Sequence, residues 1–470
     1  MNTRIGCRRS LLLASFLAFM SVSSIAAAEP KEPSSEEPGW KAGVATAKIT
    51  PEQPMWMAGY AGRDKPSEGK IHDLNAKALA IEDAQGTRLV MVTLDLIGVP
   101  REMRDWLEKQ VGERYRLPPE GLLVNASHTH CGPVVRANTS YMPEERAQQC
   151  EKYLEEMREK LVEVVGQALD NLAPASLSYV HARAGFAMNR RTPTETGFRN
   201  HPNPDGPVDH DVPVLRVKSA GDELKALLFG YACHSTTLGF YNFCGDYSGF
   251  AKRYLEEAHP GVAALFLAGC GGDQNPYPRS KLELCEQHGR ALANGVEAAL
   301  QTYPRPLHGP LRMALEDIVL EFAEPPGREQ LEKEAQSKNK FERRHAEILL
   351  KELKEAGKIR TTYPVPVQVV RFGEGLILVA LPGEAVVDYS LRLKSELAGP
   401  AVWVAGYSND VFGYLPSRRV LEEGGYEGGG AMRYTTLPGP FAPSVEKLVV
   451  DKVHELVKKT QTTKSTASSQ

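Results

Sequence analysis

The sequence predicts a mixed α/β fold, an α+β layered domain with central β-sheets flanked by helices. Two observations predict it. Short apolar runs of strand length alternate along the chain with longer stretches whose apolar residues recur at helical spacing. And 470 residues, 42% of them hydrophobic, can bury a large core as a single domain.

In chain order, Arg4, Arg8 and Arg9 precede an apolar run from Leu11 to Met20, and Ala26-Ala27-Ala28 follows. A basic start, an apolar run too short to span a bilayer and a small-residue cleavage site make residues 1–28 a signal peptide, hence a periplasmic or secreted protein. Arg8-Arg9 before Ser10-Leu11-Leu12 loosely matches twin-arginine export. Residues 29–40, rich in Pro, Ser and Glu, read as a disordered leader. Residues 460–470 read as a flexible tail, which leaves 41–459 as one domain.

Within that domain, Leu89 to Leu94 and Leu122 to Ala126 read as buried strands. Pro143 to Leu172 carries Leu154, Met157, Leu161, Val165 and Ala168 at helical spacing. Leu224 to Cys233 and Ala263 to Ala268 read as strands, and Ser280 to Tyr303 as a helix. Arg328 to Ala356 is a strongly charged helical stretch, read as a solvated helix or helical hairpin. Val365 to Phe372 and Leu376 to Leu381 form a hairpin around Gly373-Glu374-Gly375, and a final helix runs from about Ser444 to Lys458.

The formal net charge is −3 and no basic stripe is present, which argues against a nucleic-acid partner. Seven cysteines include Cys7 in the signal segment. The other six, Cys131, Cys150, Cys233, Cys244, Cys270 and Cys285, show no CxxC spacing, so a cysteine metal site is disfavoured. An oxidising compartment would permit disulfides, with no pairing legible.

The chemistry concentrates in Ser127-His128-Thr129-His130-Cys131-Gly132-Pro133, at the end of a strand. Residues two apart on a strand share a face, so His128 and His130 can offer imidazole nitrogens to one metal. Taken alone, they are equally well a pair of hydrogen-bonded loop histidines. His234 ends another apolar strand, where a satisfied core histidine is the commoner finding. Glu384, in Leu381-Pro382-Gly383-Glu384, precedes a helix and could simply face its dipole. Gly269-Cys270-Gly271-Gly272 lacks the Lys-Ser/Thr of a phosphate loop.

These segments together resemble the neutral/alkaline ceramidases. Gly43 to Pro51 and Met57 to Tyr60 are similar to that family's opening, and His128-Thr129-His130-Cys131-Gly132-Pro133 to its HTHxGP motif. Asn189-Arg190, the context of His234, Pro382-Gly383-Glu384, Gly413-Tyr414 and Tyr426-Glu427-Gly428 follow in the family's order. The resemblance covers residues from about Gly43 to Leu448. It implies a zinc ion held by His128, His234, Glu384 and Tyr414. His130, Arg190 and Tyr426 would act on the water and the substrate carbonyl. It also implies a small-molecule or lipid amide substrate such as N-acylsphingosine, with room for peripheral membrane contact; oligomeric state is not legible. Two neutral imidazoles and one carboxylate would leave zinc positive enough to acidify a water. Tyrosine and arginine donors suit a developing oxyanion, and His130 suits a proton shuttle. Tyr414 could instead be a core tyrosine. Asp95 and Asp73 read as structural hydrogen-bonders, with Asp95 a candidate to orient a ligand imidazole.

The chain departs from the family twice. Asparagine stands at Asn275 in Gly272-Asp273-Gln274-Asn275-Pro276, where the family carries serine. The chain also ends soon after the last helix, so the family's C-terminal immunoglobulin-like domain is expected to be missing. Both bear on substrate more than on hydrolysis. A zinc-dependent amidohydrolase is therefore the leading expectation. The same design acting on another amide or ester, and a catalytically silent binding protein on this fold, are the alternatives.

Overall fold

The computed structural model describes residues 39–135 and 144–461. The expected signal segment 1–28, the leader up to residue 38 and the tail from residue 462 lie outside the described residues.

Strand alternation builds the layers. In Asn75–Asp83, Ala76, Ala78 and Ala80 face one core while Leu79 and Ile81 face another. Arg88–Leu94, Leu122–Ala126, Leu224–Tyr231 and Ala263–Ala268 split their side chains between the same two cores. Such strands are buried on both faces, which is why they read as continuous apolar runs.

They belong to a nine-stranded mixed sheet. Its order is Ala263–Ala268, Leu224–Tyr231, Asp211–Ser219, Ala173–Arg183, Trp40–Lys48, Asn75–Asp83, Arg88–Leu94 and Leu122–Ala126, with Arg305–Leu307 beside Ala173–Arg183. On one face pack the helices Arg101–Tyr115, Glu144–Asp170, Asp246–Ala258 and Leu282–Leu300. On the other lies a four-stranded sheet of Leu311–Glu321, Thr362–Phe372, Leu376–Ala380 and Ala401–Ala405, joined through Leu79, Met91, Leu228, Leu378 and Trp403. The far face of that sheet is covered by Val387–Glu396 and Val445–Lys459. The result is a helix, sheet, sheet, helix stack, as the mixed α/β reading expects.

Two boundaries move from the sequence reading, and both are held by burial. The first strand begins at Trp40, inside the expected leader, because its indole is buried and donates to the Leu307 carbonyl at 2.8 Å. Thr460, placed in the flexible tail, is likewise buried. The charged stretch is two helices, Arg328–Glu334 and Lys340–Ala356; Asn339 breaks it by accepting from the Phe341 N–H as an N-cap. Leu331, Ala346, Leu349 and Ile359 form a small core of its own. The six described cysteines are all buried free thiols. Among the described residues, no helix is long and apolar enough to cross a membrane.

The side chain of Asn125 ties the two edges of the large sheet together. It accepts from the Ala268 N–H at 2.9 Å and donates to the Gly406 carbonyl at 2.7 Å. This brings the carboxyl ends of Leu122–Ala126, Leu224–Tyr231 and Ala263–Ala268 to one place, where open α/β sheets generally bind ligands.

Candidate active site

His128 and His130 follow the edge strand Leu122–Ala126. They converge, but strand alternation is not the reason. The strand ends at Ala126, and His128 sits at φ 58° in the left-handed region, uncommon for a side chain with a Cβ. A loop conformation therefore aims the pair. The Nε2 atoms of the two rings lie 3.1 Å apart. A Cβ on Gly59, itself at φ 99°, would collide with the His130 ring, so glycine makes room for it.

His234 arrives from the strand Leu224–Tyr231, its N–H bound to the Gln274 carbonyl. Ring nitrogens of His128, His130 and His234 all lie within 4.8 Å of one another. Glu384 and Tyr414 are register partners in a two-residue parallel strand pair, Glu384–Ala385 with Tyr414–Leu415. Parallel pairing delivers both side chains to the same side. The Glu384 Oε2 atom lies 3.2 Å from His128 Nε2 and 3.1 Å from His234 Nε2. The Tyr414 hydroxyl lies 3.4 Å from His234 Nε2.

The hydrogen bonds behind the rings assign their protons. His128 Nδ1 faces the Ile97 carbonyl at 2.6 Å and His234 Nδ1 faces the Gly271 carbonyl at 2.7 Å. A carbonyl only accepts, so both Nδ1 atoms carry hydrogen, and in the neutral rings both Nε2 atoms present lone pairs. Ile97, not Asp95, orients His128: the Asp95 carboxylate is committed to the Lys252 ammonium and the Asn75 N–H.

Electrostatics agree. Burial, then the Arg190 guanidinium, pushes His234 down to about 4. Burial, then the neighbouring imidazoles, pushes His130 well below its ordinary range. Burial raises the Glu384 carboxyl, and only positive charge at the His128 and His234 edges holds it well below the usual carboxylate range, so an ionised Glu384 calls for a cation in this cluster. Two imidazole lone pairs and an ionised carboxylate thus converge with no proton between them. This donor set fits a divalent cation, and nitrogen and oxygen donors suit zinc. His130 is the less committed ring: its Nδ1 is buried without a partner.

Arg190 stands beside the cluster with all three faces of its guanidinium engaged. It donates to the Tyr414 hydroxyl at 2.7 Å, to Asn275 Oδ1 at 3.1 Å and to Glu427 Oε1 at 2.7 Å. Asn275, where serine was expected, is fully buried and also accepts from Thr236 at 3.3 Å. The Tyr426 ring lies 5.4 Å from that of Tyr414, half-exposed on the cavity wall. All seven expected site residues therefore share one neighbourhood. Sequence reasoning missed the roles of Ile97, Gly271, Asn275 and Glu427. Two act through backbone carbonyls, which leave no side-chain signature. Glu427 had one signal, two consecutive arginines needing a buried counter-charge.

A cavity of about 550 Å³ opens over this floor. Its walls are largely apolar, with Trp56, Ile97, Phe341, Val411, Phe412 and Met432 among them. Lys340 and Phe341 come from the charged helical stretch, which is thus part of the cavity wall and not merely solvated.

Comparison with known proteins points the same way. Residues 40–284 match the family described as neutral/alkaline non-lysosomal ceramidase, N-terminal. The neutral ceramidase of Mycobacterium tuberculosis H37Rv is 22% identical over 474 residues, covering 80% of this chain and 71% of that protein. That of Drosophila pseudoobscura is 24% identical over 264 residues, covering 50% of this chain but only 36% of its own length. In three dimensions the chain is similar to the neutral ceramidase of Pseudomonas aeruginosa, with a TM-score of 0.70, 19% identity, and 93% of this chain and 77% of that one covered. A ceramidase complexed with C2 gives a TM-score of 0.71 at 20% identity, with 91% and 77% covered.

Proposed function

The chain belongs to the neutral/alkaline non-lysosomal ceramidases, and from that premise we propose that it is an exported, zinc-dependent hydrolase that cleaves the amide bond of an N-acylated lipid of the ceramide type. One observation carries the reading. The lone pairs of His128 and His234 and the carboxylate of Glu384 converge at the floor of a largely apolar cavity. The floor suits a metal, and the walls suit an acyl or alkyl chain.

His128, His234 and Glu384 would hold the zinc, with Tyr414 at the fourth position. When bound, zinc supplies a Lewis acid for the scissile carbonyl and acidifies a water. Arg190 fixes the Tyr414 hydroxyl and places positive charge where the carbonyl oxygen becomes anionic. Tyr426, on the cavity wall, offers a further hydroxyl. His130, neutral and with Nε2 turned toward the cluster, can take a proton from the attacking water and return it to the departing amine. Water adds to the acyl carbon, the C–N bond breaks, and a fatty acid and an amine leave. Asn275 offers no nucleophilic hydroxyl, so the route needs no acyl-enzyme.

The test is fatty-acid release from N-acylsphingosine by protein lacking residues 1–28, with and without chelator. Chelator-sensitive release is expected. No release from any lipid amide by zinc-loaded protein overturns the reading, and a panel of soluble amides and esters then identifies what the same design hydrolyses. Export is tested by the N-terminus of the protein recovered outside the cytoplasm.

A further inference from the structure

Resting on that reading, we infer that Glu427 is a positioning residue: by bridging two consecutive arginines it sets the plane of the Arg190 guanidinium against Tyr414 and ties that plane to the wall of the cavity. Consecutive residues of a regular strand point to opposite faces. In Ala187–Thr194 the register shifts between Asn189, opposite Asn203, and Arg191, opposite Asn200. Such an irregularity re-aims side chains, and here Arg190 and Arg191 both reach one carboxylate. Arg190 Nε donates to Glu427 Oε1 at 2.7 Å, and Arg191 Nη1 donates to Oε2 at 2.6 Å.

A guanidinium is planar, so its orientation is set by the partners along its edge. Arg190 has Asn275 on Nη1 and Tyr414 on Nη2, with Glu427 holding Nε. Of the three partners only Glu427 is an anion. Without it the charge-assisted bond at Nε is lost, and two neighbouring cations share a buried space. Arg191 would still be held by Glu423 Oε2 at 3.0 Å and by the Gly424 carbonyl at 2.9 Å. Losing the Glu427 charge therefore leaves Arg191 two of its anchors.

The carboxylate also fixes its own loop. Gly424, Gly425 and Gly429 take positive φ, and a Cβ on Gly428 would collide with the carbonyls of Gly424 and Val420. These glycines turn Tyr426 onto the cavity wall while Glu427 reaches inward. The wall that meets substrate and the cation that meets the carbonyl oxygen thus share one anchor.

Glu427→Gln and Glu427→Ala test this, with thermal unfolding and zinc content measured alongside. For Glu427→Gln, kcat per folded, zinc-loaded molecule is expected to fall roughly ten- to a hundredfold, the cost of a misplaced catalytic group, with KM within about twofold. Added formate, small enough for the cavity, is expected to restore Glu427→Ala several-fold. A purely structural carboxylate would lower the melting temperature and leave kcat per folded molecule unchanged, and that result overturns the inference. Should the wild type hydrolyse no lipid amide, the proposed function fails, and the crystal structure of Glu427→Gln still decides this point. Arg190 swung away from Tyr414 supports it, and Arg190 still at 2.7 Å from the hydroxyl refutes it.

Discussion

His234 Nε2 faces the Glu384 carboxylate at 3.1 Å with no proton to place between them, because the ring's only hydrogen is held at Nδ1 by the Gly271 carbonyl. His128 repeats the arrangement through Ile97. Three acceptors pointing at one another are unfavourable unless a cation sits among them. Chelation should therefore lower the melting temperature and zinc should raise it again, the bound metal adding about 2.7 kcal/mol of stability at a free zinc concentration of 100 times Kd. Glu384→Gln should invert the pattern. Its amide can donate to both Nε2 atoms, so without metal the variant should be at least as stable as the metal-free wild type, yet gain nothing from zinc. Differential scanning calorimetry with and without chelator reads both. A zinc-free wild type as stable as the loaded one would remove the case for the metal.

The packing of Gly59 against His130 supplies a second test. Gly59→Ala places a methyl group where the ring stands and forces an L-residue to φ 99°. The backbone strain alone is about 1–3 kcal/mol. The ring must move, so kcat should fall by at least about tenfold if His130 carries the proton. Zinc content should stay near one per chain, since His128, His234 and Glu384 are untouched. Loss of zinc in this variant would instead make His130 a ligand, a role its 3.1 Å approach to His128 Nε2 permits.

How far the sequence disclosed this arrangement depended on what each feature rests on. Leu122–Ala126 and Ala263–Ala268 were legible to the residue, because strands buried on both faces leave unbroken apolar runs. The Glu144–Asp170 helix was legible from Leu154, Met157, Leu161, Val165 and Ala168 on one face. Which strands neighbour one another was not legible, since the tie from Asn125 to Ala268 spans 143 positions and no local pattern encodes it. His128 and His130 were found for a reason the structure replaces, a left-handed residue instead of strand alternation. Glu384 and Tyr414 came from resemblance, and their pairing depends on a parallel register invisible in composition. The hold of Glu427 on Arg190 needed the irregularity at Asn189–Arg191, which a one-dimensional pattern does not reveal.

Asn275 predicts the absence of a covalent intermediate. Its carboxamide accepts from Arg190 and Thr236 and donates toward Asn200 and Tyr277, and it has no nucleophilic oxygen to share. Rapid-mixing kinetics should show no burst of amine, and mass spectrometry under turnover no acylated chain. Asn275→Leu, similar in size but unable to accept from Arg190, should lower kcat about tenfold or more and leave zinc bound. A burst with an acyl adduct would require a different nucleophile.

Acid stability should depend on the buried Asp209–Lys394 pair. Asp209 is buried and accepts from Ser390 Oγ at 2.5 Å and from Lys394 Nζ at 2.8 Å. Burial raises its carboxyl, but Lys394, with help from Ser390 and the Asp211 N–H, outweighs burial and the net shift is downward. A carboxyl whose folded pKa is depressed contributes stability that is present above its unfolded pKa of about 3.9 and is lost as pH falls through the folded value. Lys394→Met removes the partner and leaves the carboxylate buried. At neutral pH the variant should be less stable by about 1–3 kcal/mol, the cost of leaving a buried charge poorly paired. The deficit should shrink as pH drops below about 4, where Asp209 is protonated in the variant and becomes so in the wild type. Urea unfolding between pH 3 and 7 reads the difference directly. A deficit that stays constant across that range would mean Lys394 contributes through packing of its methylenes and not through Asp209.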